Sequence, residues 1–252
     1  MRAARLGLRS IALAAWTAGL FLVWTLGAPV AILAGVLWRW RARIQRLWSR
    51  GVCRIVGVRF AVDGRAPEGP CLLVANHLSY LDVVVLGSLV PCSFVAMHEL
   101  ARWPVLGFLA WAMGTQFVER ENLRALSLLN QRLCARLTRG ETLVLFPEGT
   151  STAGEGVLPF RPALLAPAVA LGSPVSYAAL RYATPSGERP ASEVVCWWGD
   201  MPFGAHALAL LRLPWIEVSV RFGSGPIAAP DRKQLAARLH DAVVARLQSM
   251  PR

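Results

Sequence analysis

The sequence predicts an α/β domain carried on an apolar N-terminal segment, and three observations lead there. Past residue 50, short apolar runs bounded by turn residues alternate with stretches of helical period. Before it, the 28 residues from Ile11 to Trp38 carry no charge. No internal repeat or low-complexity linker divides the remainder. The expected organisation is a membrane-anchoring segment with basic flanks over 1–50 and one domain over 51–252. A chain of 252 residues is long enough for that domain to bury a full core.

The N-terminal run exceeds the roughly 20 residues that one helix needs to span a bilayer. Gly27-Ala28-Pro29 interrupts it, and this punctuation is expected to break the helix. Arg2, Arg5 and Arg9 precede the run; Arg39, Arg41, Arg43, Arg46 and Arg50 follow it. Arg-rich flanks belong on the cytoplasmic side, so two of them suit a re-entrant helical hairpin better than a simple span. A tilted span and a cleaved signal peptide are the alternatives, the run being long for the latter. Trp16, Trp24, Trp38, Trp40 and Trp48 are either interface anchors or fillers of helix-packing gaps.

In the domain, Val56–Val62 reads as a strand, closed by Asp63-Gly64 and the prolines after it. Leu72–Ala75 is a short buried strand and Asp82–Leu89 a helix, although three consecutive valines are poor helix formers. Phe94–Met97 is a further strand. In Asn122–Thr138, Leu126, Leu129, Leu133 and Leu137 recur at spacings of three and four, giving an amphipathic helix that Gly140 ends. Thr142–Phe146, Pro174–Leu180, Glu193–Trp198 and Ile216–Phe222 are strand candidates, the last alternating cleanly. Asp231–Leu247 is a terminal helix.

Composition narrows the partners. The chain is 55% hydrophobic and 17% charged, against about 25% charged in an ordinary soluble domain. Its net charge of +12 suits an anionic surface, and the ten tryptophans favour a membrane over nucleic acid. No basic run interleaved with aromatics occurs in the globular part, so no nucleic-acid partner is expected. The five cysteines are scattered, without C-x-x-C spacing, which speaks against a disulfide framework or a zinc site and for a reducing compartment.

Three segments can carry chemistry. In Asn76-His77-Leu78-Ser79-Tyr80-Leu81-Asp82, leaving a strand end, a turn would bring His77 and Asp82 together. Asp82 would then fix the tautomer of His77, whose other nitrogen could deprotonate an alcohol. The competing reading is a polar pair that caps a helix. Phe146-Pro147-Glu148-Gly149-Thr150-Ser151 is either a polar head-group loop or an ordinary turn. Gly114 to Arg120 ends a short strand with an arginine that either pairs with an anion or is solvated. His98, His206 and His240 have no sequence partner and are expected in surface or core roles.

In this order and spacing the three segments resemble the glycerolipid acyltransferase family typified by bacterial 1-acylglycerol-3-phosphate acyltransferase, over about residues 50–230. The family's histidine-x4-aspartate motif falls on His77 and Asp82, its glycine-to-arginine block on Gly114 to Arg120, and its Phe-Pro-Glu-Gly-Thr block on Phe146 to Thr150. The resemblance implies a mostly parallel or mixed sheet flanked by helices. It implies catalysis by His77 and Asp82, with Asn76, Ser79, Arg120, Phe146, Pro147, Glu148, Gly149 and Thr150 around the substrates; Arg161 could join them as a substitute for a basic group this chain lacks. It also implies direct acyl transfer from acyl-carrier protein or acyl-CoA to a lysolipid hydroxyl, without a metal, another cofactor or a covalent acyl-enzyme. The site would lie on the cytoplasmic side of the inner membrane.

The sequence departs from the family where Ser151 stands for an arginine and where Met97 or His98 stands for a lysine. Both are basic groups expected near a substrate phosphate. Lysophosphatidic acid is the first acceptor expected; the stretch around Leu158-Pro159-Phe160-Arg161 resembles the branch that acylates lyso-ornithine lipid. Two other classes compete. A serine hydrolase would need Gly-x-Ser-x-Gly, which Gly149-Thr150-Ser151-Thr152-Ala153 misses at its last place. An inactive membrane-bound lipid-binding protein would have no need of both His77 and Asp82.

Overall fold

The computed structural model describes residues 2–103, 105–118 and 123–250. Two helices, α1 (Arg2–Leu33) and α2 (Leu37–Val56), precede the strand β1 (Val58–Asp63). There follow β2 (Leu72–Ala75), α3 (Leu81–Leu89), β3 (Ser93–Met97), α4 (His98–Ala101), α5 (Leu106–Ala112), β4 (Gln116–Val118), α6 (Leu123–Thr138) and β5 (Leu143–Leu145). A 3-10 turn (Pro162–Leu165) and α7 (Ala166–Ala170) lead to β6 (Val175–Ala183), α8 (Ala191–Val194), α9 (Phe203–Arg212), β7 (Ile216–Phe222) and α10 (Arg232–Gln248).

The strands form one sheet in the order β1-β7-β6-β2-β5-β3-β4, parallel at every pairing except β6 with β7. The α/β, mixed-sheet expectation is met. Alternation along the strands splits the core into two layers. Leu73, Ala75, Ala178, Leu180 and Tyr182 face α2, α3 and α9; Leu72, Val74, Leu143, Leu145 and Ala179 face α6, α7 and α10.

From β2 the chain crosses to β3, beyond β5; from β5 it crosses to β6, beyond β2. The two crossovers diverge from one point, the carboxyl ends of β2 and β5. Such a switch point opens a crevice where an α/β sheet can bind ligands. The histidine segment leaves β2 there and the Phe-Pro-Glu-Gly segment leaves β5.

Four sequence expectations change. Gly27-Ala28-Pro29 does not end a helix: α1 runs through Pro29, and the turn comes at 34–36, where Gly35 takes φ +67°. Gly27 serves packing instead, since a Cβ there would lie 2.3 Å from the Trp40 ring. Val56 belongs to α2, which Gly57 closes in the left-handed region (φ +85°) before β1 starts at Val58. The boundary expected at residue 50 therefore falls inside a helix. Glu193–Trp198 is not a strand. Ala191–Val194 makes one helical turn, and the buried Val195 and Cys196 both donate their N–H groups to the Ala191 carbonyl. The run is apolar because the core covers it, a signal that periodicity cannot separate from a strand. Finally, β6 extends past Leu180 to Ala183.

The N-terminal helices form an antiparallel hairpin. Trp16 Nε1 donates to the Trp48 carbonyl at 3.1 Å, Trp48 Nε1 to Thr17 Oγ1 at 3.0 Å, and Trp40 Nε1 to the Trp24 carbonyl at 3.4 Å. Gly51 leaves space for Trp16 as Gly27 does for Trp40. These tryptophans fill helix-packing gaps. Val52, Cys53 and Val56 carry α2 into the core beside α3.

Candidate active site

His77 and Asp82 meet as the spacing requires. The chain turns after β2, and Asp82 sits in the first turn of α3 with no exposed surface. Its Oδ2 accepts Nδ1–H of His77 at 2.8 Å and the backbone N–H groups of Leu78 (2.6 Å) and Ser79 (2.9 Å). Its Oδ1 accepts the hydroxyl of Tyr182 at 2.7 Å. A carboxylate with only acceptor capacity assigns the proton of neutral His77 to Nδ1, leaving the lone pair on Nε2. No described residue bonds Nε2, and the His77 side chain is 23% exposed. The ring lies flat against Phe146, centroids 4.2 Å apart and planes 12° from parallel.

Glu148 is the second buried carboxylate. Oε1 accepts the His77 backbone N–H and Oε2 that of Leu158, each at 2.7 Å. Burial pushes its pKa up to about 7, against the pull of those two N–H donors. Both oxygens point inward at main chain, so the group clamps the histidine loop to the loop after β5. Gly149 permits the turn with φ +84°, a left-handed conformation costly for other residues.

The remaining expected residues divide. Buried Asn76 spends its amide on the backbone of Leu180, donating at 3.0 Å and accepting at 2.8 Å, and so ties the end of β2 to β6. Ser79 Oγ accepts the Leu81 N–H at 3.3 Å. Pro147 is buried and its carbonyl accepts the Arg161 N–H at 2.8 Å, while the Arg161 and Thr150 side chains are exposed. Arg120 lies outside the described residues.

Several residues at this corner carried no sequence signal. Tyr182 lies on the stretch of β6 that periodicity did not reach; burial and Asp82 push its pKa up. Trp197 knits the loops together: its N–H donates to the Leu78 carbonyl at 2.8 Å, and its carbonyl accepts the hydroxyl of Ser151. A serine bound in that way is not poised as a nucleophile. His206 Nε2 faces the Cys196 carbonyl and Nδ1 faces the Tyr80 hydroxyl, both at 3.0 Å. Nε2 therefore carries the proton and Tyr80 donates to Nδ1, which fixes the Tyr80 ring three residues from His77. Beside Tyr80 opens an apolar cavity of about 210 Å³ between the hairpin and the body, walled by Leu20, Phe21, Ile44, Val84, Phe94 and Leu109 among others.

Fold and corner together define an α/β enzyme in which a buried carboxylate orients a partly exposed histidine. Residues 58–179 match the acyltransferase family. The chain is 37% identical over 224 residues to the lyso-ornithine lipid O-acyltransferase of Brucella abortus, covering 83% of this chain and 84% of that protein. It is 35% identical to the Pseudomonas aeruginosa protein of the same name, covering 81% and 78%. To the 1-acyl-sn-glycerol-3-phosphate acyltransferase of Neisseria meningitidis it is 38% identical over 57% of each chain. The crystal structure of the 1-acyl-sn-glycerophosphate acyltransferase from Thermotoga maritima shares the fold, with a TM-score of 0.59 over 97% of this chain and 99% of that one, at 18% identity. The chain belongs to the acyltransferase family and is an enzyme that acylates lysolipids.

Proposed function

We propose that this enzyme moves a fatty acyl group from an acyl-carrier protein or CoA thioester to the free hydroxyl of lyso-ornithine lipid, with His77 as general base. The observation that carries the reading is the Asp82-fixed tautomer, which leaves Nε2 as the open face of a partly exposed ring. Nε2 takes the hydroxyl proton as the oxygen attacks the thioester carbonyl. The tetrahedral intermediate then collapses, the C–S bond breaks, and the imidazolium returns its proton to the departing thiolate. Asp82 stabilises the transient cation. The apolar cavity beside Tyr80 is suited to an acyl chain.

The choice of acceptor draws on the relatives that match over about four-fifths of this chain and carry the lyso-ornithine name. Ser151, where an arginine would favour a phosphate, spends its hydroxyl on Trp197. A zwitterionic ornithine head group asks for fewer cations than a phosphate monoester. Lysophosphatidic acid is the second reading, favoured by the Neisseria relative.

The hairpin is read as lying in the membrane interface. α2 carries six arginines in 20 residues, and each would cost about 3 kcal/mol at a bilayer centre. α1 instead leaves Leu22, Leu26, Val30 and Leu33 exposed along the same hairpin. The arginines support the cytoplasmic face of the inner membrane.

The test is transfer of labelled acyl groups from carrier protein or CoA to lyso-ornithine lipid and to lysophosphatidic acid, with wild type and His77→Ala. Preference for lyso-ornithine lipid, abolished in His77→Ala, is the expected result. Undiminished transfer by His77→Ala would remove the base from His77, and preference for the phosphate acceptor would establish the second reading.

A further inference from the structure

Ten of the chain's arginines, and none of its acidic residues, lie in residues 1–62. The positive charge is therefore a property of the hairpin and its junction with β1, and the body is close to balanced. Within α2, Arg39, Arg43, Arg46 and Arg50 recur at spacings of four, three and four, which aligns them on one face. They line a groove of about 390 Å³ with Trp38 and Pro91, and no carboxylate lines it.

Two of these guanidinium groups are held in place. Nε of Arg46 and Nε of Arg50 both donate to the Ser88 carbonyl, at 3.4 and 3.1 Å. No described residue accepts from their Nη atoms, which can serve another acceptor. A row of like charges is self-repelling, and an anion seated across it relieves the repulsion. Guanidinium forks match the oxygens of a phosphate.

We propose that the α2 groove binds the phosphate of an anionic phospholipid head group, a lipid of the surrounding membrane and not a substrate. This rests on the interfacial reading of the hairpin. The exposed apolar row of α1 is what favours lipid over an acidic soluble protein, which would satisfy the arginines but leave hydrocarbon uncovered. Ser88 lies in the last turn of α3, and Asp82 in its first. A head group held there is separated from the catalytic corner by a helix of about 13 Å and registers that corner at the lipid surface.

The experiment floats the full chain with phosphatidylcholine vesicles made with and without phosphatidylglycerol. Wild type should bind the anionic vesicles more tightly. Arg43→Lys with Arg46→Lys keeps the charge but removes the forks, and should cut the phosphatidylglycerol-dependent part about 10-fold. Arg39→Gln should cut it about 5-fold. Turnover in neutral micelles should not move, and Arg39→Gln should leave the melting temperature unchanged. A lysine variant that keeps the full preference overturns the proposal in favour of a diffuse field. Equal binding of wild type to both vesicles overturns it while sparing the interfacial reading; failure to bind either overturns both. If inorganic phosphate raises the melting temperature of wild type but not of the lysine variant, without lipid preference, the ligand is free phosphate. If acidic carrier protein binds wild type and not the variant in the absence of vesicles, the groove is a protein dock; either result overturns the head-group assignment. Should the double variant fail to fold, Arg39→Gln and Arg43→Lys alone carry the test.

Discussion

The corner of His77 and Asp82 and the N-terminal hairpin are held by opposite means. At the corner each carboxylate oxygen has an assigned donor: Asp82 serves His77, Leu78, Ser79 and Tyr182, and Glu148 serves His77 and Leu158. The hairpin is joined to itself by indole rings set against glycines, and to the body by redundant contacts. Arg9 alone reaches the carbonyls of Leu211, Leu213 and Pro214, and Arg5 that of Arg212, at the C-terminal end of α9, where cations are favourable. A corner of single-purpose bonds in low dielectric fails when one member is lost. A seam of packing and shared carbonyls fails by degrees.

Asp82→Asn should break the comparison most sharply. It offers His77 the wrong partner and places an amide among three other donors, so transfer should fall by about 10³–10⁴-fold while lipid binding persists; steady-state assay and vesicle flotation read the two. Glu148→Ala should cost about 2–3 kcal/mol in denaturant unfolding, by stranding two buried N–H groups, and should lower turnover as the loops separate. The same residue sets a pH slope. With its folded pKa near 7 and an ordinary value of 4.5, the neutral acid stabilises the fold fully below pH 4.5. That contribution is lost as pH rises from 4.5 to 7, at up to about 1.4 kcal/mol per pH unit. Glu148→Gln should flatten that interval of the stability profile.

On the hairpin, Gly51→Val drives a side chain into Trp16, whose indole nitrogen lies 2.1 Å from a Cβ built there. Overpacking should cost about 1–3 kcal/mol and weaken vesicle binding, with kcat of the bound fraction kept; loss of kcat in equal measure would show the two regions coupled. Smallest is Tyr182→Phe. It removes one of four donors to Asp82 and should cost about 1 kcal/mol, seen as a modest drop in kcat with KM unchanged.

Much of this was legible in the sequence. His77 and Asp82 could be read because a strand end, a turn and five residues suffice to join them, all of it local. The two motif loops meet because β2 and β5 are adjacent parallel strands, an adjacency that chain order does not state. Tyr182 was hidden for the same reason: it reaches Asp82 from β6, a hundred residues on. Gly27-Ala28-Pro29 misled because a helix tolerates proline and glycine when a neighbour packs over them, and Trp40 does so. Glu193–Trp198 misled because an apolar run reports burial and not strand pairing. His206 looked idle because both its partners, Tyr80 and the Cys196 carbonyl, arrive by tertiary folding.

The reciprocal notches of Trp16 on Gly51 and Trp40 on Gly27 also bear on how the nascent chain matures. The hairpin closes between residues some 32 positions apart, as Trp16 and Trp48 are, so it can form as soon as α2 leaves the ribosome. The sheet must wait, because Val58 on β1 finds its partner only when Ile216 has been made. Contacts near in sequence form before distant ones. The hairpin is therefore complete while the histidine loop still lacks β6 and β7. The corner of His77 and Asp82 finishes folding against a hairpin that has already closed.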